Sequence, residues 1–540
     1  MKAKKTVFYG FVFVCIMVLA GFTACTRQGG RAGAISGDII EITIMEWGGD
    51  DTFYRDIGSM NLRPDDLRAM NLAMAYAVAK EYKNINPNVA INYYGISDWA
   101  YLSWDQHREN FRMEYGVYPD IMTTLDLISD AQRGLIADLS IFEDDPVYQS
   151  FHPRVMAMMN VEGRQFGVPE FLLPKGIFIN KSLAEEFNID VPDPDWTIAE
   201  FTRFINNSRP NEFYGSNGDF DLDMDIIITG TRDFTYMLLN RQSGEPFVNI
   251  NSPATRNLLR FAAQWRHNSV QANYNLGRIS QEFMDANESA GYMFFVNGKM
   301  LTYNWHYWNL QDLAHPDPNH WGSAKMADWD YYPRPSTDYM PNTVGVDITP
   351  FVIRNYAMDD GNPELSAEEE AKLRATWDFL KFYLADTRSF EVRARQMYRE
   401  GREGEVLRSS LHPSFPVVTG PEFQRQMEIW FSPEIHQRFR DREKMPGFHY
   451  ILELWENGQF WDISDKTYPW NYDFEGNRRA IIHEWNNAAN PDYVGTLSTD
   501  PNWLDQVYAR LPQWNTAFNQ RWEDETAKLQ EALDRYYPRP

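Results

Sequence analysis

The sequence predicts an α/β fold, and two observations carry the prediction. Runs that alternate polar and apolar residues are followed repeatedly by stretches with apolar residues at helical spacing. The 540-residue chain is 43% hydrophobic and 24% charged, a globular balance that excludes a disordered chain and a polytopic membrane protein. Strands alternating with helices imply a mostly parallel sheet, with ligands beyond the carboxyl ends of its strands. The length suits about two to four units of roughly 150 residues each.

The elements follow in order. Residues 39–45 alternate like a strand and run into Glu46-Trp47-Gly48-Gly49-Asp50-Asp51. Residues 67–84 carry a helical apolar face that stops before Asn86-Pro87. A second strand covers 89–94, a helix 104–114 and a third strand 118–122, which opens on Thr123-Thr124-Leu125-Asp126. A helix through Ala131 comes next. Topology alone therefore singles out Glu46, Trp47, 94–99 and 123–126.

In the middle, 165–170 leads to a short strand at 176–180 and a helix at 181–187. Asp195-Trp196-Thr197 caps another helix at 198–206. Residues 253–268 are helical, and 290–303 predicts a strand pair turning at Asn297-Gly298. A strand at 345–353 precedes an amphipathic helix at 367–385. Beyond 411 the chain is rich in Trp, Pro and Asn, and a last helix spans 514–536.

The N-terminus is a secretory signal by its grammar. Lys2, Lys4 and Lys5 precede an apolar run at 7–19, and Phe22-Thr23-Ala24-Cys25 places small residues before a cysteine. Residues 1–24 are the predicted signal peptide and 25–37, rich in Gly, a flexible tether. An uncleaved anchor over 6–26 and simple secretion are the alternatives, and all three put the body outside the cytoplasm. The only cysteines, Cys15 and Cys25, lie in the signal region, so the body has no internal disulfide and no thiol nucleophile. The whole chain's net charge of −25 argues against nucleic acid and anionic lipid as partners. The 18 tryptophans exceed what a core needs and suit a protein that binds flat ligands with polar rims.

A series of landmarks resembles a known family. A lipoprotein-like signal with the cysteine at 25 is followed by a strand ending in Glu46-Trp47. Tyr118-Pro119-Asp120, Gly134 to Leu139, Gly167-Val168-Pro169 and Asn180-Lys181 follow. Trp196 with Glu200-Phe201, Met293 to Lys299, Trp305, Gly345-Val346-Asp347 and Trp377 to Phe382 complete the order. The chain is similar to the extracellular solute-binding proteins of ABC importers, in the large sugar-binding group called family 1. The similarity covers about 40–390 and is weak beyond.

The resemblance implies a two-lobed periplasmic-binding-protein-like fold, with a hinge and a ligand cleft between lobes. Lobe 1 would be 38–160 plus 345–410, and lobe 2 would be 161–344 plus 411–540. It further implies acylation of Cys25, a membrane anchor through that lipid, a carbohydrate ligand and ABC permease subunits as partners. A monomer without cofactor or metal is expected, in the periplasm or on the cell surface.

A sugar offers C–H faces to aromatic rings and hydroxyls to carboxylates and amides. Trp47 and Trp305 stand where the resemblance puts ligand contacts. Glu46, Asp51, Thr124, Asp126, Glu170 and Asp347 are the candidate hydroxyl partners. Tyr94, Trp99 and Trp470 are further candidate ring contacts, with Trp461 and Tyr472 on the far wall. For each, the plainer reading is core, helix cap or solvated strand end. Asp219, Asp221, Asp223 and Asp225 alternate but lack the glycine of a calcium loop, and His315 and His320 around Asp317 lack a supporting helix. No nucleophile elbow or phosphate loop is present.

Carbohydrate capture competes here with three other readings. One is a peptide or other polar-solute binder of the same architecture. Another is a glycosidase using Glu46 and Glu170 as acid and base. The last is a helical glycan-binding lipoprotein of an outer membrane.

Overall fold

The computed structural model describes residues 39–97, 104–217 and 503–538 and, with short breaks, 226–462. Its first part is the predicted alternation. Counting the strands of the main sheet, these are β1 (Ile40–Trp47), β2 (Phe53–Tyr54), β3 (Val89–Ile96) and β4 (Ile121–Thr123). β1 lies between β3 and β4 and is parallel to both.

Helix α1 (Met70–Ile85) covers one face of these strands. It buries Leu72, Met74 and Val78, each worth about 1.5–3 kcal/mol, on an alanine-rich backbone that favours helix. Helix α2 (Trp104–Tyr115) buries Trp104, Arg108 and Phe111, spaced i, i+4, i+7. Arg108 grips Asp130 of α3 (Leu127–Gln132) with two bonds, 2.7 and 2.9 Å.

The chain then crosses over. β5 (Val168–Ile179) is one strand of 12 residues, every one buried, where the sequence predicts only a short strand from Gly176. Burial on both faces produces a continuous apolar run, so no alternation marks its first half. Thr197 and Glu200 form a capping box at the start of α4 (Ile198–Ile205), as the cap signal predicts. Helix α5 (Pro253–His267) follows.

The predicted strand pair at 290–303 is a helix followed by a strand: α6 (Gly291–Val296) and β6 (Thr302–His306). Gly298, at φ +72°, ends the helix rather than turning a hairpin. The Lys299 amide donates to Phe294 at 2.7 Å and the Gly298 amide to Phe295 at 2.9 Å, the paired bonds of a glycine C-cap. Asn-Gly supplies the left-handed residue that either structure needs.

β7 (Asp330–Tyr332) and β8 (Val344–Ile353) come next. They are followed by α7 (Ala367–Ala385), α8 (Thr387–Arg395), α9 (Gly420–Trp430) and α10 (Pro446–Glu456). β9 (Phe460–Asp462) and α11 (Trp503–Tyr536) complete the chain.

The sheet runs β6-β5-β8-β4-β1-β3-β2, with β7 also on β5 and β9 on β8. It is mixed, not mostly parallel: β5 and β8 are antiparallel to each other, and β8 is antiparallel to β4. One strand carries the chain out of the first group of strands and the other brings it back, so the two must oppose. The first half of β5 lies along β8 where β8 meets β4, while 177–179 at its end pair with β6 and β7.

Two large cores result. The first gathers Ile42, Ile44, Leu72, Leu172, Ile348 and Phe379, and the second Trp196, Phe201, Trp265, Leu301 and Leu511. β5 feeds both, through Leu172 to the first and Ile177 and Ile179 to the second.

α11 also feeds both. It begins eleven residues before the predicted start, because Val507 and Leu511 continue its apolar face through Pro512 into the second core. Leu529, Leu533 and Tyr537, just past the helix, sit in the first core, and the Tyr537 hydroxyl donates to the Ile136 carbonyl at 2.7 Å. Among the described residues no helix is long and apolar enough to cross a membrane.

Candidate ligand-binding site

The carboxyl ends of β1, β3 and β4 meet at one edge of the sheet, where α/β proteins place ligands. Trp47, the last residue of β1, is half-buried there and lies flat on Trp104, the first residue of α2, with centroids 4.8 Å apart. Trp104 is buried and its indole N–H donates to the Thr123 carbonyl at 3.0 Å, which ties α2 to the end of β4. Met45, Ile96 and Leu125 pack beside the pair. The Asn71 amide of α1 donates to the Trp47 carbonyl at 2.6 Å.

The loop after β1 folds tightly over β3. The amides of Gly48 and Asp51 both donate at 2.9 Å, to the Ile96 and Gly95 carbonyls. Gly49 lies so close to Gly95 that a Cβ on it would fall 2.1 Å from the Gly95 backbone. Asp51 adopts φ +59° and accepts from the Ser97 amide at 2.9 Å and from the Ser97 hydroxyl. Asp50 accepts from the Tyr54 hydroxyl at 2.6 Å. The result is an aromatic platform edged by two exposed or half-exposed carboxylates.

The structure sorts the other sequence candidates. Tyr94, half-buried on β3, borders this platform and its ring packs near Phe53 and Phe111. Thr124 is buried and its hydroxyl donates to Asp130 at 2.6 Å, while Asp126 caps α3 by accepting from the Ser129 amide at 2.9 Å. Both are engaged in holding the start of α3. Asp347 is half-buried on β8, opposite Leu173 of β5.

Glu46 and Glu170 are enclosed. Glu46 follows the alternation of β1 to the face opposite Trp47, and its exposure is 0%. Glu170 is buried and accepts from the Thr123 hydroxyl at 2.9 Å. Burial, then the neighbouring Glu170, pushes the Glu46 carboxyl well above the usual carboxylate range. As placed, neither carboxyl meets solvent, so neither is set to protonate a glycosidic oxygen or to take a sugar hydroxyl.

Trp305 lies in β6 opposite Gly176, but its side chain is outside the described residues. Trp461 is buried in the second core. Trp99, Trp470, Tyr472, Cys25, the aspartates at 219–225, His315, Asp317 and His320 all lie outside the described residues. Sequence reasoning missed Trp104 and Asp50, while Ser97 lies in the 94–99 segment that topology singled out. Trp104 opens a helix seven residues before Phe111, a spacing that fits a buried helix face and gives no sign of its support of Trp47.

No protein-family model and no curated protein matches the sequence. Solved structures do. The ABC substrate-binding protein of Listeria monocytogenes in complex with cycloalternan aligns over 88% of this chain and 99% of its own, at 15% identity and a TM-score of 0.56. A sugar transporter protein of Rhizobium etli in an open conformation aligns over the same shares, at 16% and 0.57. The cyclic alpha-maltosyl-1,6-maltose binding protein of Arthrobacter globiformis does so at 14% and 0.55. The chain therefore has the two-lobed α/β fold of the substrate-binding proteins of ABC transporters.

Proposed function

We propose that the chain is an extracytoplasmic substrate-binding lipoprotein of the sugar-binding family. It captures an oligosaccharide between its lobes and delivers it to the permease of an ABC importer. The observation that supports this most is the Trp47–Trp104 platform, placed at the strand ends of a fold whose solved neighbours include one in complex with cycloalternan and one complexed with maltotetraose. The half-buried Trp47 takes the C–H face of a sugar ring, and Asp50 and Asp51 accept from its hydroxyls. Trp305 and Trp470 are the further ring contacts of this reading.

In this reading lobe 1 is 38–160 plus 345–410 and lobe 2 is 161–344 plus 411–540. β5 and β8 are the connecting strands about which the lobes close. Acylated Cys25 anchors a monomer to the membrane through the tether at 25–37. The protein does no chemistry on its ligand.

A thermal-shift screen with oligosaccharides, peptides and polyols tests the proposal. A ligand at one hundred times its dissociation constant adds about 2.7 kcal/mol to the folded state. An oligosaccharide should raise Tm, Trp47→Ala should abolish the rise, and the sugar should be recovered uncleaved. A response to peptides alone would overturn the carbohydrate reading.

A further inference from the structure

The first turn of α1 carries hydrogen-bonding groups that the rest of the molecule leaves unpaired. β3 follows α1 and is parallel to β1, so α1 runs against β1 and begins at the carboxyl ends of the strands. The Asn71 side chain, which donates to the Trp47 carbonyl, ties it there. No side chain caps this end: Ala69 stands at the cap position and the first turn holds no acid. The first amide of the helix with an acceptor is that of Ala73, bonded to the Ala69 carbonyl at 3.1 Å. The amides of Met70, Asn71 and Leu72 have none among the described residues. Met70 is half-buried, but Asn71 is 4% exposed and Leu72 0%. A buried helix end needs partners from outside the helix, because orphaned buried amides are rare.

Asn71 adds an acceptor of its own. Its Nδ2 donates to the Trp47 carbonyl at 2.6 Å, and that bond fixes the orientation of the amide, since Oδ1 in the same place would meet a second oxygen. Oδ1 is therefore turned away from the carbonyl, where it is buried with no donor. Gly48, the first residue of the loop after β1, borders the same side chain. Buried donors and a buried acceptor thus lie within two consecutive residues beside the platform. Chemistry narrows what satisfies both. A carboxylate or phosphate accepts from the amides but has no proton to give Oδ1, and an ammonium gives protons but cannot accept. A hydroxyl does both through one oxygen. Arg68 is exposed and Ala69 and Met70 are half-buried, so the approach from solvent lies at the start of the helix.

We propose that Asn71 and the first-turn amides of α1 form a hydroxyl-binding subsite beside the Trp47 platform. One ligand hydroxyl accepts from the amides and donates to Asn71 Oδ1. The positive end of the helix dipole strengthens the first of these bonds. That the hydroxyl belongs to a captured sugar rests on the carbohydrate-capture reading. The subsite adds to that reading a demand for one hydroxyl that gives its proton as well as accepting. It therefore separates a sugar from an analogue whose substituent at that position can only accept.

The test uses the full chain in detergent, as wild type, Asn71→Ala and Asn71→Asp. Calorimetric titration compares maltotetraose with its monodeoxyfluoro derivatives, in which fluorine replaces one hydroxyl and cannot donate. One derivative should bind wild type about tenfold more weakly than maltotetraose. Asn71→Ala should lose about the same factor with maltotetraose and should not distinguish it from that derivative. Asn71→Asp keeps an acceptor but loses the donor to Trp47, so it should still distinguish the two. A bond to Trp47 that is merely structural would make both variants behave alike. Residue-resolved hydrogen exchange should show the amides of Asn71 and Leu72 slowed by maltotetraose in wild type. If no derivative separates wild type from Asn71→Ala, or if those amides stay fast in a complex that does form, the subsite is overturned and carbohydrate capture stands. Amides already slow in the free chain would assign these groups to bound water and overturn it too. If maltotetraose does not bind, the screened oligosaccharide that raises Tm most takes its place; if none raises Tm, the carbohydrate reading and the subsite fall together. If Asn71→Ala fails to fold, Asn71→Asp and the exchange of wild type carry the comparison.

Discussion

Trp47 lies flat on Trp104, with ring planes 5° from parallel. The pair divides two tasks between neighbouring rings. Trp104 is 2% exposed, holds the end of β4 by its N–H and belongs to the core. Trp47 is half-buried at the strand ends.

Truncating the two rings should therefore give opposite phenotypes. Trp104→Ala removes a buried aromatic and should cost about 3–5 kcal/mol in urea unfolding. Trp47→Ala should cost less than half of that, yet abolish the oligosaccharide-induced rise in Tm. Equal losses of stability from both changes would sink this division.

Gly49 and Gly95 form the tightest contact beside the platform. A Cβ on Gly95 would stand 2.5 Å from the Gly49 Cα and 2.6 Å from the Tyr93 hydroxyl, and backbone cannot yield as a side-chain tip can. Gly49→Ala and Gly95→Ala should each destabilise by about 2 kcal/mol or more. Gly116, whose Cβ would meet nothing, is the control for space, and only its φ of +84° opposes alanine. Urea midpoints of the three variants give the comparison.

Asp330 couples stability to pH near neutrality. Its carboxylate accepts from the amides of Tyr331, Gly447 and Phe448 and caps α10, but burial outweighs those bonds and pushes its pKa up to about 7. Between the ordinary 3.8 and that value only the folded chain keeps the proton. This contribution is thus full below about 4 and lost as pH rises through about 7. The loss amounts to roughly 4 kcal/mol at 1.36 kcal/mol per pKa unit. Asp330→Asn should remove that slope from ΔG against pH.

His152 works in the opposite direction. It packs against Trp455 and Phe460, and burial with Arg154 nearby pushes its pKa down from 6.5 to about 4. The unfolded chain takes up a proton near 6.5 that the folded chain refuses, so stability is full above 6.5 and lost as pH falls through about 4. His152→Gln keeps an acceptor for the Arg154 amide, which His152 now bonds at 3.3 Å. The variant should unfold at lower pH than wild type in an acid titration followed by fluorescence.

What the sequence disclosed depended on how local the cause was. The helix at 367–385 was legible to the residue because Ser366 and Glu369 form its capping box within one turn. β1, β3 and α1 were legible from period alone. The first half of β5 was not, because a strand buried on both faces shows no period. The 290–303 segment went astray because Asn297-Gly298 supplies a left-handed residue without saying what precedes it. Among site residues, Trp47 stands where topology put it. Glu46 is its sequence neighbour yet faces the other way, and its company with Glu170 depends on a bulge 124 residues further on. Register between distant strands has no local signature.

The 34-residue helix α11 is about 51 Å long and is rooted in both cores. Asn519 bonds Phe247 and Val248 at the middle of this rod, and Tyr537 holds Ile136 just beyond its C-terminal end. Such a rod acts as a tie bar beside the two crossover strands. It resists stretching far more than it resists torsion. The cores can therefore swivel past one another more readily than they can part, and Pro512 is the weak link at which the bar would flex. The lobe closure proposed above is then narrowed by the last helix as much as by the crossover strands.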